Sequence, residues 1–552
     1  MKPLELARSK RLGPLFGTQF FGAFNDNLFK QAVVFLVVFQ AGTNEGAATG
    51  LSSLVAGLFI VPFFLFSAFA GQISDKFDKS RVMRVLKLTE AGVMALGAVG
   101  FYGNSMPVLL ATIFLMGAQS AFFGPAKFGI LPQHLKEEEN TVGNGLIAMS
   151  TFIAIVTGTI LAGVMKGMAV LSWVGPLAIG VAALGAFCSF FIPKAPSSQP
   201  DMKIDFNLSK ATKHLYDIAR RVKSVHLSIL GLSWFWFVGA LVLTLATPYA
   251  KFVLGGTESL ATAIIVTFVV GIFLGSVACI KLSKLEVELG LVPLGALGMT
   301  LFGLDLYLMD YQTPTGSPVG VWEFFVTATS WQNWRVIFDL TMVAVCAELY
   351  QIPLFALVQL RSEEHERSQV IAANNIFNAL FMVASSLFGV LLASVMGLGT
   401  TEIFAVVFAI NLAVGLTIFA VIPEFTMRFV AWILASTVYS IQYTNREAIP
   451  RKGAAVIVAN HVSFIDWFIL TATCRRPVRF VMYHKIFQIP GLNILFRLAK
   501  AIPIAPAKEN AALKEKAFAE VSKALKDGQL VCIFPEGMIT HDGKLCGFRP
   551  GV

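Results

Sequence analysis

Two short stretches of this sequence combine residue types at spacings that can carry a reaction. The first is Asn460-His461-Val462-Ser463-Phe464-Ile465-Asp466, and the second is Phe534-Pro535-Glu536-Gly537. An imidazole takes a proton from an attacking hydroxyl, and a carboxylate five residues on fixes its tautomer and stabilises the imidazolium that forms. A structural alternative uses the same residues. Ser463-x-x-Asp466 fits a capping box, with Ser463 as N-cap and Asp466 near the positive end of a helix. The elements that must position the histidine are also legible. The apolar run 454–459 reads as a short buried strand, and Trp467 to Ala472 as the start of a helix. His461 therefore falls on the loop between them, where a rigid scaffold exposes a side chain. Gln529 to Phe534 reads as another strand, with Pro535-Glu536-Gly537 as the turn at its end.

Together the two blocks resemble the glycerophospholipid (1-acylglycerol-3-phosphate type) acyltransferase family, with its Asn-His-x4-Asp and Phe-Pro-Glu-Gly signatures. The resemblance implies acyl transfer to a lysophospholipid hydroxyl from a thioester, with acyl-carrier protein or acyl-CoA as donor and no bound cofactor. It makes His461 the base and Asp466 its orienting partner. It puts Asn460, Ser463, Phe534, Pro535, Glu536 and Gly537 at the acceptor's glycerol-phosphate site. The family's middle block, which usually carries Gly and Arg, is weak here at 482–490 and 501–504. The family also continues with further strands past the point corresponding to Val552, so the acyltransferase domain, 446–552, is expected to be truncated. Similar fusions run on into an acyl-carrier-protein synthetase, expected downstream or as a separate chain.

The rest of the chain belongs in lipid. Of 552 residues, 56% are hydrophobic and 14% charged, against about 25% charged in soluble domains. The net charge of +10 lies in bases between apolar spans, which fits membrane topology and anionic lipid rather than nucleic acid. Six scattered cysteines show no C-x-x-C pair and no metal spacing, so neither a disulfide framework nor a metal site is expected. No cleavable signal peptide is expected after the basic start, because the span that follows is long and has no small-residue cleavage site.

At about 20 apolar residues per span, twelve transmembrane helices are expected, near 12–39, 50–73, 83–103, 106–133, 142–168, 170–192, 226–250, 258–280, 288–309, 335–360, 369–396 and 401–422. Bases follow the even spans: Lys76, Lys79, Arg81, Arg84 and Lys87 after the second, and seven from Lys194 through Lys203 to Lys223 in the central loop. The loop from Asp310 to Trp334 has no Lys or Arg. Both ends are therefore read as cytoplasmic, in a bacterial inner membrane.

The two halves repeat: Pro125 to Glu139 leads to Asn144 as Pro353 to Arg367 leads to Asn374. Two six-helix halves, 1–192 and 226–422, around a basic loop at 193–225, form the parallel-repeat plan of major facilitator transporters. The loop with Gly71, Asp75, Lys76 and Arg81 resembles that superfamily's G-x3-D-[RK]-x-x-[GD]-[RK] gating motif; its alternative is a plain positive-inside loop. The expected fold is thus an all-α membrane protein followed by a partial α/β domain. A segment at 423–445, too short and too charged at its start for a thirteenth span, reads as an interfacial helix and linker.

Inside the first span, Asn25, Asp26, Asn27 and Lys30 put polar and charged groups in mid-membrane. Gln19, Gly22, Asp26 and Lys30 fall on one helical face. Asp26 and Lys30 could instead neutralise each other at i, i+4. Lys127, in Gly124-Pro125-Ala126-Lys127-Phe128-Gly129, is a second buried base or a snorkelling one. These two stretches resemble the bacterial lysophospholipid transporter family, which makes Asp26, Asn27 and Lys127 substrate-path residues. Lys30 is an addition to that pattern, and span seven (Trp234 to Val238) lacks an arginine. Glu348 is a further intramembrane acid, facing a cavity or a base. Arg475, Arg476 and Arg479 form a basic stretch, near phosphate or on a solvated face.

The reading is a fusion that flips a lysophosphatidylethanolamine-like lipid inward and re-acylates it on the cytoplasmic face. Its partners are lysophospholipid, membrane lipid and the thioester donor. The competing reading is an exporter of small solutes or drugs with an unrelated or inert tail.

Overall fold

The computed structural model describes residues 3–548 apart from 40–43, 136, 169, 198, 203, 205–206, 284–287, 310, 314–316, 328–329, 363–366, 440, 443, 446–447, 451–452, 475 and 541–545. Lys203, Asp310 and Arg475, and the chain from Arg549 on, lie outside the described residues.

All twelve expected spans are helices. They are α1 (Gly13–Val38), α2 (Glu45–Lys76), α3 (Lys79–Tyr102), α4 (Met106–His134), α5 (Glu137–Gly167), α6 (Val174–Phe190), α7 (Lys223–Pro248), α8 (Glu258–Ser283), α9 (Leu291–Leu308), α10 (Trp331–Arg361), α11 (Arg367–Val390) and α12 (Thr400–Val421). Ten of these stretches are long and apolar enough to cross a membrane by length and composition. The other two are α1, which carries Asp26 and Lys30, and α3, which carries Lys87 and Glu90. Local chemistry starts several of them. Asn44 caps α2 by accepting from the Ala47 amide (2.8 Å), Asp78 caps α3 through the Arg81 amide (3.1 Å), and Ser330 caps α10 through Asn333 (3.2 Å).

One compact unit comprises Met1–Leu282 and Gly298–Leu412. In it α1 packs on α5 and α6, α2 on α4 and α11, and α7 on α10 and α11. Small residues set these approaches. A Cβ on Gly158 of α5 would lie 2.6 Å from the Phe24 carbonyl oxygen, so glycine lets α5 close on α1 beside Asp26.

The other unit comprises Ser283–Leu297 and Ala413–Val552. It contains α13 (Pro423–Val438), β1 (Ala455–Val458), α14 (Asp466–Thr473), β2 (Val478–Tyr483), α15 (Leu492–Leu498), β3 (Ile502–Ile504), α16 (Ala507–Lys526) and β4 (Leu530–Ile533). The four strands form one sheet in the order β1-β4-β2-β3, every pair parallel. Cys474, Val478, Phe480, Leu530 and Cys532 are its core. Strand β1, expected to be buried, is covered on only one face, because Val456 and Val458 are 46% and 57% exposed and alternate with half-buried Ala455 and Ile457. On α13, Phe429, Ala431 and Ala435 are buried, whereas Val430, Leu434 and Val438 are exposed at four-residue spacing.

Burial pushes the Cys532 thiol up to about 12, with neighbouring Cys474 adding to the shift. The thiol therefore stays protonated at pH 8 and has no exposed surface. Maleimide at pH 8 is expected to spare Cys474 and Cys532 in the folded chain and to label both after denaturation. Labelling of either in the native chain, read by mass spectrometry, would contradict this packing.

Candidate functional site

The pairing of β1 with β4 sets Val458 beside Ile533. The segments leaving these strands therefore emerge together at their carboxyl ends, the usual position of a site in an open α/β sheet. His461 Nδ1 lies 2.9 Å from Asp466 Oδ2, and the same oxygen accepts the amides of Val462 and Ser463, each at 2.9 Å. Half of the expected capping box is thus present, Asp466 reaching back to the Ser463 amide. Ser463 Oγ does not cap α14; it accepts from the Ile465 amide at 3.4 Å. The structural and chemical readings of Asp466 use one oxygen.

The histidine backbone is clamped as well. Its N–H donates to Glu536 Oε1 (3.1 Å), and its carbonyl accepts from the Thr540 amide (2.9 Å) and hydroxyl (3.3 Å). The Phe534 ring stacks on the imidazole at 4.3 Å. Glu536 is 1% exposed and its Oε2 accepts from the Cys546 amide (3.2 Å), so both its oxygens hold backbone. Pro535 is buried, and Gly537 takes φ +64° as its amide returns to the Phe534 carbonyl (3.1 Å), a turn that favours glycine. Asn460 is exposed. Thr540 carries no sequence signal, because its role depends on where the chain returns.

A mostly apolar cavity of ≈ 440 Å³ lies in the same unit, lined by Val430, Leu434, Trp467, Phe468, Phe480 and Phe496 among others. Phe480 stacks on Phe534, which stacks on His461, so cavity wall and imidazole share a row of rings. Of the basic stretch, Arg476 donates to the Gly528 carbonyl (2.5 Å) and Arg479 to the Lys500 carbonyl (2.9 Å), pinning strand ends. In the middle block, Lys485 and the Tyr483 hydroxyl bond Glu509 and hold its carboxyl below the usual range.

In the helical unit Asn25, Asp26 and Lys30 find partners on other helices, whereas Asn27 and Lys127 turn to neighbours on their own. Asp26 Oδ2 accepts from Ser120 Oγ (2.8 Å), while the Lys30 ammonium lies 5.3 Å from the Phe59 ring centre, so the two turn to different partners. Asn27 back-bonds to the Ala23 carbonyl (2.8 Å), and half-buried Lys127 lies over Phe128 (4.6 Å). Asn25 is buried and donates to Glu90 Oε1 and the Ala178 carbonyl, both at 3.2 Å. Glu90 and Lys87 are the residues that sequence reading missed. Their ion pair is 2.6 Å long with side chains only 3% and 2% exposed. Gln119 also donates to Glu90 (3.3 Å), and the Lys87 ammonium occupies the space a Cβ on Gly22 would need. Glu348, 4% exposed, accepts from Ser276 (3.0 Å) and Gln351 (2.7 Å).

In the stretch expected to gate, Gly71 is half-buried, Asp75 and Arg81 are exposed, and only Phe77 and Asp78 lie between α2 and α3. The Asp75 carbonyl accepts from Ser197 Oγ (2.9 Å) and the Gln199 amide (3.0 Å), and Lys76 lies over Phe77 (5.9 Å). Burial of Asp78 works against its charged form, but hydrogen bonds from Ser80 and the Arg81 amide outweigh it and hold the carboxyl below the usual range.

Residues 15–384 match the Major Facilitator Superfamily model and residues 440–552 the Acyltransferase model. The chain belongs to the major facilitator superfamily and carries an acyltransferase-family domain C-terminal to that match. Its similarity is more particular than that. A protein of Enterobacter sp. (strain 638) named lysophospholipid transporter LplT is 29% identical over 313 residues, 54% of this chain and 74% of that protein. Its namesake from Photorhabdus laumondii is 28% identical over 354 residues, 62% and 78% of the two chains. Among solved structures, a POT family transporter with a bound thioalcohol-conjugated peptide aligns at TM-score 0.58 and 16% identity, over 75% of this chain and 96% of that one. A D-xylose-proton symporter aligns at TM-score 0.53 and 14% identity, over 74% and 95%. At such identities these structures speak for the fold alone.

Removing one partner of a buried ion pair strands the other charge. Lys87→Met is therefore expected to cost about 3–5 kcal/mol, with Lys87→Met/Glu90→Gln recovering most of it. Thermal unfolding in detergent measures both, and wild-type stability in Lys87→Met would contradict the pair's role.

Proposed function

We propose that this multi-pass membrane protein moves a lysophospholipid of the lysophosphatidylethanolamine kind inward across a bacterial inner membrane and re-acylates it on the cytoplasmic face, where both chain ends lie. The observation that carries the reading is the His461–Asp466 pair at the carboxyl ends of two adjacent parallel strands, on a chain similar to proteins named lysophospholipid transporters.

With Nδ1 committed to Asp466, Nε2 is the ring atom that meets the acceptor. It takes the proton of the lysophospholipid hydroxyl as the oxygen attacks the thioester carbonyl carbon. The new C–O bond replaces the C–S bond, and the departing sulfur of the acyl-carrier protein or coenzyme A donor takes the proton back from the imidazolium. Glu536 and Thr540 serve by fixing the loop that presents His461. The apolar cavity suits a hydrocarbon chain. Phe464, 75% exposed three residues after His461, and the exposed Val430, Leu434 and Val438 of α13 suit contact with the bilayer that supplies the acceptor. Asp26, Asn27 and Lys127 line the lipid's path in this reading, with Asn25 and Lys30 beside them and the 71–81 loop gating it. A lipid delivered to the cytoplasmic leaflet arrives where His461 works, so the two activities gain from sharing one chain.

The purified full chain, given lysophosphatidylethanolamine and an acyl thioester, is expected to make diacyl lipid. His461→Ala is expected to lower turnover about a hundredfold or more without lowering the unfolding temperature, and Asp466→Asn to lower it substantially. Equal turnover in His461→Ala would refute the assignment.

A further inference from the structure

Helix α14 begins at Asp466, and an arginine reaches its other end. Arg428 of α13, 5% exposed, donates through Nη1 to the carbonyl of Cys474 (3.1 Å), the residue that closes α14. Through Nη2 it forms an ion pair with Glu288, whose side chain is 12% exposed. Glu288 stands three residues ahead of span α9 and is itself held, since its Oε1 accepts from the Gly290 amide (3.1 Å). A Cβ on Gly290 would lie 2.5 Å from Phe429 Cβ and 2.6 Å from the Phe425 carbonyl, so this turn sits directly on the backbone of α13. Glu288, Arg428 and Cys474 all belong to one compact unit.

A guanidinium suits this post because its planar fork presents donors in fixed directions, and a cation at a helix C-terminus is favoured by the dipole. Helix α14 is only eight residues long, about 12 Å, and moves as a rod. Whatever shifts the Cys474 carbonyl therefore shifts Asp466 at the opposite end, and with it the bond that orients His461.

We infer that Arg428 is a positioning residue for acyl transfer, set by Glu288, so that the loop leading into span α9 and the His461–Asp466 pair are tied through one guanidinium. This rests on the acyl-transfer reading of His461.

The test compares the purified full chain with Arg428→Lys and Glu288→Gln, reading kcat, KM and the unfolding midpoint with lysophosphatidylethanolamine and acyl-CoA. Lysine keeps the charge that answers Glu288 but lacks the fork that also reaches Cys474. Arg428→Lys is expected to lose about tenfold or more in kcat, with KM and unfolding midpoint close to wild type, and Glu288→Gln to lose less in the same direction. Wild-type kcat in Arg428→Lys overturns the inference. So does a lowered unfolding midpoint with unchanged kcat per folded molecule, which is the mark of a merely structural arginine. If the wild type itself transfers no acyl group, the acyl-transfer reading fails separately. Peptide-mapped modification of His461 by diethyl pyrocarbonate then decides the positioning: a faster rate in Arg428→Lys supports it, and an unchanged rate overturns it.

Discussion

The Asp466 carboxylate shapes the His461 loop through one oxygen. Oδ2 accepts from the His461 ring and from the amides of Val462 and Ser463, so orientation of the imidazole and shape of the loop are one event. The loop can close this way only because β4 lies beside β1. Glu536 and Thr540, from the segment after β4, then reach the His461 backbone from the far side. A histidine on an exposed loop thereby acquires the fixed geometry that general-base work requires.

The helical half answers a related constraint. A charge withdrawn from water needs a partner supplied by the protein. Glu90 shows how this is met: it gathers Lys87, Asn25 and Gln119, from α3, α1 and α4. Ser120, next to Gln119, donates to Asp26. Asn25, expected on the path, is thus part of a buried network that links α1, α3 and α4.

Legibility in the sequence followed the range of each interaction. The twelve spans could be read because a span is a local run of apolar residues, and each lies within a few positions of its helix. His461 and Asp466 could be read because five residues separate them. Lys87 could not: five bases follow span two, and nothing local separates Lys79 and Lys87, which are buried, from Arg81, which is exposed. Asp26 and Lys30 fit an i, i+4 pair by spacing, yet Ser120 and Phe59 on neighbouring helices are their partners. Glu536 carries a family motif, but that its two oxygens bind the amides of His461 and Cys546 depends on strand order, which no single stretch encodes.

The most direct measurement follows lysophosphatidylethanolamine, labelled in its head group and added outside spheroplasts, into the cell and into diacyl lipid. The account predicts uptake and conversion in the wild type, uptake without conversion in His461→Ala, and loss of both in Asp26→Asn. Absence of uptake above background in the wild type would contradict it.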